Sequence, residues 1–194
     1  MPTTHEVKAF FESVATDWDI MRLAYYDERV IDCLAERCGP TSTSAGRMTI
    51  VDVGTGTGFL AAGLAPRVER VFGIDNSPAM LDVARANLRS LGVANVELLQ
   101  GDLAAIPLPD DSVGAAVANM VLHHAESPTA MLREMARVVR PGGTVGVCDE
   151  EEHTYEWMRT EHADVWLGFS AEQLERHFCE AGLEDYSAES LGTH

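Results

Sequence analysis

The stretch that decides the fold reads Val51-Asp52-Val53-Gly54-Thr55-Gly56-Thr57-Gly58-Phe59. The apolar residues before the first glycine are typical of the end of a buried parallel strand. Three glycines at every second position then let the backbone turn and come close to a ligand. This arrangement predicts a strand that ends in a glycine-rich loop, where the backbone grips a nucleoside.

An acidic residue at the end of the next apolar run supports nucleoside binding. Asp75 ends the run Val71-Phe72-Gly73-Ile74, and it lies about 20 residues after Gly54. A carboxylate at this point can accept hydrogen bonds from both ribose hydroxyls. A dinucleotide fingerprint beginning at Gly54 would need a glycine at position 59, where the chain has Phe59. A nicotinamide oxidoreductase is therefore only the third hypothesis.

The pattern D-x-G-x-G-x-G, from Asp52 to Gly58, resembles the first motif of class I S-adenosylmethionine (SAM) methyltransferases. Later blocks of that family follow in the same order, over roughly residues 47–150. These blocks read Gly101-Asp102-Leu103, Ala118-Asn119-Met120-Val121-Leu122-His123-His124 and Leu132-Arg133-Glu134-Met135-Ala136-Arg137-Val138-Val139-Arg140-Pro141-Gly142-Gly143. Within the family the chain is most similar to the quinone-biosynthesis type and to methyltransferase domains fused to metal-responsive repressors.

The resemblance implies S-adenosylmethionine as the cofactor and assigns a role to each block. Asp75 would hold the ribose, Asp102 with Leu103 the adenine, and the glycine loop the methionine portion, while Asn119 would face the reacting end. The full predicted cofactor-binding set is Asp52, Gly54, Thr55, Gly56, Gly58, Asp75, Asn76, Met80, Asp102, Leu103 and Asn119.

Histidines are the candidate catalytic residues. His123 and His124 follow the fourth predicted strand, and His153 lies just beyond the fifth. An imidazole beside the acceptor could take a proton from a phenol or enol, which is worth roughly 10²–10⁴ in rate. A thiol acceptor would need little such help. The alternative use of the histidine pair is at a helix start and in packing.

No metal is expected from the sequence. Asp149, Glu151 and His153 carry ligand chemistry suited to magnesium, manganese or zinc, but no second histidine stands at a known motif spacing. The four cysteines lack the spacing of a disulfide framework. The block Asn119-Met120-Val121 also lacks the cysteine that arsenic methyltransferases typically show there, which disfavours a metalloid acceptor.

Strand and helix patterns alternate along the chain. Strands are predicted over 96–99, 113–118 and 144–147, and a helix over 129–139. An earlier helix starts at Ser77-Pro78 and buries a stripe that runs to Leu91. This alternation predicts an α/β fold, a Rossmann-like three-layer sandwich with a mostly parallel central sheet.

One domain is expected, in three parts. Residues 1–46 form an N-terminal helical cap with the linker 41–46, residues 47–150 form the SAM-binding core, and residues 151–194 form substrate-side helices and a final strand over 183–191. The sheet is thus shortened at its C-terminal strands. Its edge is either left open or completed by a second copy in a homodimer.

Aromatic residues outside the core have two alternative uses. In the cap, Trp18 and either Tyr25 or Tyr26 would touch the methionine end of SAM or pack against the core. Beyond the core, one helix would present a stripe that caps a flat substrate or is buried. The residues of this stripe are Tyr155, Met158, His162 and Trp166.

Composition limits the partners. The chain has 31 Asp plus Glu against 14 Lys plus Arg, a net charge of −17, which repels nucleic acid and anionic lipid. The acidity serves solubility or reflects a high-salt habitat. No stretch is long and apolar enough to span a bilayer, and the N-terminus lacks a secretory pattern, so the cytoplasm is expected.

The predicted function is SAM-dependent methyl transfer to a small-molecule acceptor by in-line displacement. Such an enzyme needs mainly to hold a nucleophile in line with an already activated methyl group and to exclude water. The alternative is a SAM-binding sensor or structural subunit without catalysis, which keeps the cofactor loop but needs no substrate-side residues. The sequence leaves the acceptor open between oxygen, nitrogen, carbon, sulfur and a metalloid.

Overall fold

The computed structural model describes residues 1–40 and 48–192; the predicted linker 41–46 lies outside the described residues. At its centre is a five-stranded sheet in the order β3-β2-β1-β4-β5, in which all neighbouring strands are parallel. The strands are β1 (Thr49–Val53), β2 (Arg70–Asp75), β3 (Val96–Gln100), β4 (Val113–Asn119) and β5 (Val139–Cys148).

Helices cover both faces of the sheet, and short 3-10 turns connect several of them. The helices are α1 (Thr4–Val14), α2 (Trp18–Met21), α3 (Arg29–Cys38), α4 (Phe59–Leu64), α5 (Pro78–Ser90), α6 (Pro128–Val138), α7 (Met158–Glu161) and α8 (Ala171–Glu180). Helices α3 and α4 pack with the side of β1 that carries Ile50. Helix α6 packs with the opposite side, which carries Val51 and Val53. This alternation along β1 produces three layers.

The predicted Rossmann-like sandwich is confirmed, because β4 is buried along its whole length and every crossover joins parallel strands. The N-terminal signal of α5 is also as predicted. Ser77 accepts a hydrogen bond from the amide of Met80, and Pro78 occupies the first turn. Leu91 was expected in the buried stripe of this helix, but it follows the last helical residue and is 65% exposed.

The predicted final strand over 183–191 is wrong. The described part of this segment has no strand, and Asp185 turns it with a φ of 56°. The segment returns to α3 instead, where Arg37 pairs with Glu189 at 2.6 Å. The sheet is therefore not closed by further strands, and β5 is an edge strand among the described residues.

The predicted helical stripe after β5 is also wrong. Helix α7 has only four residues, because the chain turns at Ala163, two residues after its end, with a φ of 62°. Tyr155 is 58% exposed, Met158 is buried, and Trp166 turns away to donate a hydrogen bond to the Ala125 carbonyl at 3.0 Å. Among the described helices, none combines the length and apolar character needed to cross a membrane.

Candidate active site

A cavity of about 560 Å³ opens at the carboxyl ends of the parallel strands. Parallel strands place their following loops at one edge of a sheet, and this is where ligands bind in open α/β folds. Gly54, Asp75, Asp102, Asn119 and Asp149 lie at this edge, because each ends or follows a strand.

Nearly all the predicted cofactor-binding residues line this cavity. The lining includes Asp52, Gly54, Thr55, Gly56, Asp75, Asn76, Met80, Asp102, Leu103 and Asn119. Gly58 is the exception. It precedes α4 with a φ of +84°, and a Cβ placed there would lie 3.3 Å from the Cβ of Ala84, so glycine here serves the backbone turn and the close approach of the loop to α5.

The glycine loop approaches the cavity with bare backbone. Gly54 has a φ of +76°, and a Cβ there would lie 2.4 Å from the Val121 side chain. Gly56 has a φ of +52°, but its Cβ would meet only the Nε1 of Trp18, at 3.9 Å. Backbone conformation therefore favours glycine at position 56, and among the described residues only Trp18 comes within 4 Å of the added Cβ, so the space in front of Gly56 is open.

Asp75 connects the glycine loop to β2. Its Oδ2 accepts a hydrogen bond from the Gly56 amide at 2.8 Å, and its Oδ1 accepts one from the Ser77 amide at 2.9 Å. Burial raises the pKa of Asp75, and the hydrogen bonds from Ser77, Gly56 and Asn76 oppose that rise. Each carboxylate oxygen keeps acceptor capacity for a ligand hydroxyl.

Asp52 lies deeper in the same wall. The Thr55 hydroxyl donates to its Oδ2 at 2.7 Å, and the side chain is almost fully inaccessible. Burial raises the pKa of Asp52 to about 7, although hydrogen bonds from Thr55 and the Ala61 amide oppose the rise and the charge of Asp75 adds to it.

Asn119 presents a polar atom without a protein partner. It ends β4 and is 9% exposed, and its Oδ1 has no hydrogen-bond partner among the described residues. A buried acceptor without a partner costs about 1–3 kcal/mol, so such groups usually face a ligand or water. Because Asn119 lies in the cavity wall, its Oδ1 is placed to face a ligand.

Aromatic residues of the N-terminal helices form the opposite wall. The Phe11 ring on α1 lies edge-on to Trp18, with centroids 5.2 Å apart, and to His124 at 4.8 Å. Trp18 and Tyr26 line the cavity, whereas Tyr25 lines a smaller one beside it. Of the two tyrosines weighed from the sequence, the structure brings only Tyr26 to the main cavity.

An acidic residue that the sequence analysis missed holds these helices in place. Asp19 on α2 accepts hydrogen bonds from the Thr57 hydroxyl at 2.6 Å and from the Asn87 amide nitrogen at 2.8 Å. It thereby joins the cap to the glycine loop and to α5. As one of 31 acidic residues in no recognisable motif, Asp19 carried no local signal.

The structure separates the three candidate catalytic histidines. His124 lines the main cavity. His123 lies in the adjoining smaller cavity, with its Nδ1 2.6 Å from Asp149 Oδ1. His153 lines neither of these cavities, and its Nε2 lies 3.0 Å from Glu150 Oε2. Only His124 is placed to contact an acceptor directly.

Burial and neighbouring charges shift the pKa values of His123 and His124 in opposite directions. Burial opposes protonation of His123, but the charge and hydrogen bond of Asp149 outweigh it and raise the pKa to about 9. Burial, together with the charge of His123, puts the pKa of His124 well below its usual 6.5. Burial raises the pKa of the nearby Asp164, which the sequence analysis also missed, to about 6.

The sequence and the fold match known proteins. A family model described as a methyltransferase domain matches residues 51–147, half of the 194-residue chain. The chain belongs to this methyltransferase family. The predicted class I SAM methyltransferase domain is thereby confirmed, and S-adenosylmethionine is the cofactor that the family implies.

Three proteins with a similar sequence or structure illustrate this match. A 2-methyl-6-phytyl-1,4-hydroquinone methyltransferase of Oryza sativa subsp. japonica is 29% identical over 97% of this chain and 54% of its own length. A SAM-dependent methyltransferase structure from Aquifex aeolicus is 26% identical with a TM-score of 0.68, over 88% of this chain and 87% of that one. The structure of the (4+2)-cyclase SpnF is 25% identical with a TM-score of 0.76, over 94% of this chain and 73% of that one. The chain spans about half or less of the length of the curated relatives that it matches first.

Proposed function

We propose that this chain is a single methyltransferase domain that transfers a methyl group from S-adenosylmethionine to a small-molecule acceptor by in-line displacement. One observation carries the proposal. The open space in front of Gly56, the acceptor capacity of Asp75 and the unpartnered Oδ1 of Asn119 all belong to one cavity of about 560 Å³. Pockets of this size and mixed polarity hold cofactor-sized ligands.

Each part of the cavity has a task in this proposal. Asp75 binds the two ribose hydroxyls, Asp102 with Leu103 contacts the adenine, and the Gly56 backbone lies against the methionine portion. Asn119 orients the polar groups at the reacting end. When bound, the cofactor supplies a methyl group already activated on a sulfonium, so the protein's own contribution is alignment and exclusion of water.

The N-terminal helices define the acceptor side. Phe11, Trp18 and Tyr26 offer aromatic surface there, and His124 is the histidine of the predicted three that reaches the same space. A small and partly flat acceptor suits such a wall, since aromatic rings pack by stacking or edge contacts. The hydroquinone named for the rice relative has this character. A homodimer formed through the open edge of β5 stays a prediction.

The test of the cofactor site is a pair of glycine substitutions. Gly56→Ala adds a methyl group in the open space of the cavity, and Gly92→Ala adds one at a similar positive φ (+68°) with no atom within 4 Å. Both variants should lose stability by about 1–2 kcal/mol through backbone strain. Only Gly56→Ala should weaken S-adenosylhomocysteine binding in calorimetry, by about tenfold or more. Equal affinity in the two variants would contradict the proposal.

A SAM-binding protein without methyl transfer is the second candidate. SpnF, which shares this fold, is named for a cyclisation, so the fold alone does not establish the reaction. Incubation of the protein with SAM and pools of phenols, amines, thiols and carboxylic acids separates the two candidates. Formation of S-adenosylhomocysteine that depends on one pool supports methyl transfer. Tight binding of SAM without turnover in any pool supports the second candidate.

A further inference from the structure

A second cavity of about 20 Å³ adjoins the first, and His124 lines both. The space is enough for one water molecule or one ion, since about 10–15 Å³ suffices for a water. Its wall carries an unusual concentration of side chains that ligate metals. These are His123, His124, Glu150, His162 and Asp164.

Asp164 is the most unusual member of this wall. Its side chain is 1% exposed, and neither carboxylate oxygen has a hydrogen-bond partner among the described residues. Its Oδ1 lies 3.8 Å from His123 Nε2 and 3.8 Å from His124 Nδ1, too far for hydrogen bonds. A carboxylate buried in this way is costly unless a cation or a set of donors compensates it.

We infer that His123, His124 and Asp164 bind a divalent first-row transition ion, with zinc as the expected occupant. The ligand atoms of these three residues all lie within 4.8 Å of one another, and all three side chains are buried. Metal–ligand bonds of about 2.0–2.2 Å in a tetrahedral site hold such atoms about 3.3 Å apart. The two 3.8 Å separations to Asp164 need a contraction of about 0.5 Å, and the limit of 4.8 Å for the whole set bounds the contraction at about 1.5 Å.

The surroundings of His123 favour a metal ligand. Its Nδ1 donates to Asp149 Oδ1 at 2.6 Å, and Asp149 Oδ2 accepts the amides of Leu122 at 2.8 Å and Val121 at 3.2 Å. This arrangement keeps a proton on Nδ1, so Nε2, which lies 3.8 Å from Asp164 Oδ1, is the ligand atom once the ion displaces its proton. Metal-bound histidines typically donate their other nitrogen to a carboxylate in the same way.

The charges and contacts of the other ligands are compatible with an ion. His124 Nδ1 has one further contact, with the Ala163 carbonyl at 3.3 Å, a long hydrogen bond that is given up when Nδ1 becomes a ligand. Asp164 and Asp149 together carry the two negative charges that a divalent cation balances, while both imidazoles bind as neutral groups.

A rival set consists of Glu150, His153 and Asp164. It is less suited, because both ring nitrogens of His153 already have partners. The Nε2 pairs with Glu150 at 3.0 Å, and the Nδ1 accepts the Tyr155 amide at 3.2 Å. The matched variant His153→Gln therefore serves as the control for the proposed site.

The test measures metal binding by the full chain without SAM or acceptor. After treatment with a chelator, the protein is titrated with Co²⁺, and the visible absorption of the ion and the bound amount per chain are recorded. We expect one Co²⁺ per chain, loss of that binding in Asp164→Asn, and unchanged binding in His153→Gln. Asp149→Asn should weaken Co²⁺ binding by about 10- to 100-fold, because it removes the partner that orients His123.

Two results would overturn this inference. One is absence of Co²⁺ binding by wild-type protein that is folded in a thermal melt. The other is equal loss of Co²⁺ in His153→Gln and Asp164→Asn. Where Asp164→Asn does not fold, His124→Gln makes the same test. Because the readout needs neither cofactor nor turnover, its failure would leave the proposed methyl transfer untouched.

Discussion

At the scale of single residues, Asp75 joins two structural tasks. Its carboxylate fixes the glycine loop through the Gly56 amide and faces the cavity where we place a ribose. Asp75→Ala should weaken S-adenosylhomocysteine binding by about 1–3 kcal/mol, the usual cost of losing hydrogen bonds to a charged group. Titration calorimetry gives the affinity. Asp82→Ala is the matched control, because Asp82 is exposed and pairs only with Arg85 in the described structure. Similar affinities in both variants would contradict the role of Asp75.

A second residue makes stability depend on pH. The carboxyl of Asp52 ionises near 3.8 in an unfolded chain, whereas burial raises its pKa to about 7 in the folded protein. Protonated Asp52 favours the folded state, and this contribution to the free energy of unfolding is fully present below about pH 4. It is lost as pH rises toward 7, because the unfolded chain then releases the proton while the folded protein retains it.

The variant Asp52→Asn isolates this effect. Its free energy of unfolding relative to wild type should rise between about pH 4 and pH 7, by about 1.4 kcal/mol for each unit of pKa shift that it removes. Urea denaturation at a series of pH values measures the difference. A difference that stays constant over this range would show that the carboxyl is ionised in the folded protein.

At the scale of elements, the role of α1 in the N-terminal cap can be tested by a single substitution. Thr3 and Glu6 form a capping box at its start, with the Thr3 amide donating to Glu6 Oε2 at 2.8 Å. Ser170 and Gln173 form the same box at the start of α8, whose residues are absent from the cavity wall. The chain thus offers two equivalent caps that differ in their distance from the proposed site.

Replacing either cap by alanine should cost about 0.5–2 kcal/mol of helix stability. Thr3→Ala should also weaken S-adenosylhomocysteine binding several-fold, because Val7 and Phe11 of α1 line the cavity and must be ordered around the ligand. Ser170→Ala should lower the denaturation midpoint and leave the affinity unchanged. Calorimetry together with urea denaturation separates these outcomes. An unchanged affinity in Thr3→Ala would argue against α1 as part of the wall that surrounds the ligand.

At the scale of the whole molecule, the net charge of −17 dominates. Several arginines are already paired, as Arg137 is with Glu134 and Asp110, so the excess acidic groups mainly repel one another. Raising sodium chloride from about 0.05 to 0.5 M shortens the screening length and should raise the thermal midpoint by several degrees. A thermal scan in potassium chloride at matched ionic strength is the control and should give the same rise in midpoint, because screening depends on ionic strength. A falling midpoint would show that ion pairs outweigh the repulsion.

Patterns that act over a few residues determined much of this protein from the sequence. The apolar residues around Asp52, the glycines that follow and the cap at Ser77 fix local conformation through sterics and nearby hydrogen bonds. Parallel pairing then carried the predicted strand ends to one edge of the sheet. The predicted strand over 183–191 failed, because it rested on the length of the remaining segment and on the usual sheet of the family, and neither says which surface a terminal segment meets.

Only the tertiary structure decided which polar groups lie together. Asp164 stands 40 residues beyond His124 in the chain, and a turn at Ala163 brings it to the histidine pair. His153, which the sequence placed near the substrate, pairs with Glu150 instead. Such meetings depend on how distant segments pack and where each backbone turns, and no local periodicity encodes them. The cofactor loop was therefore readable from the sequence, whereas the buried histidine and aspartate cluster required the folded chain.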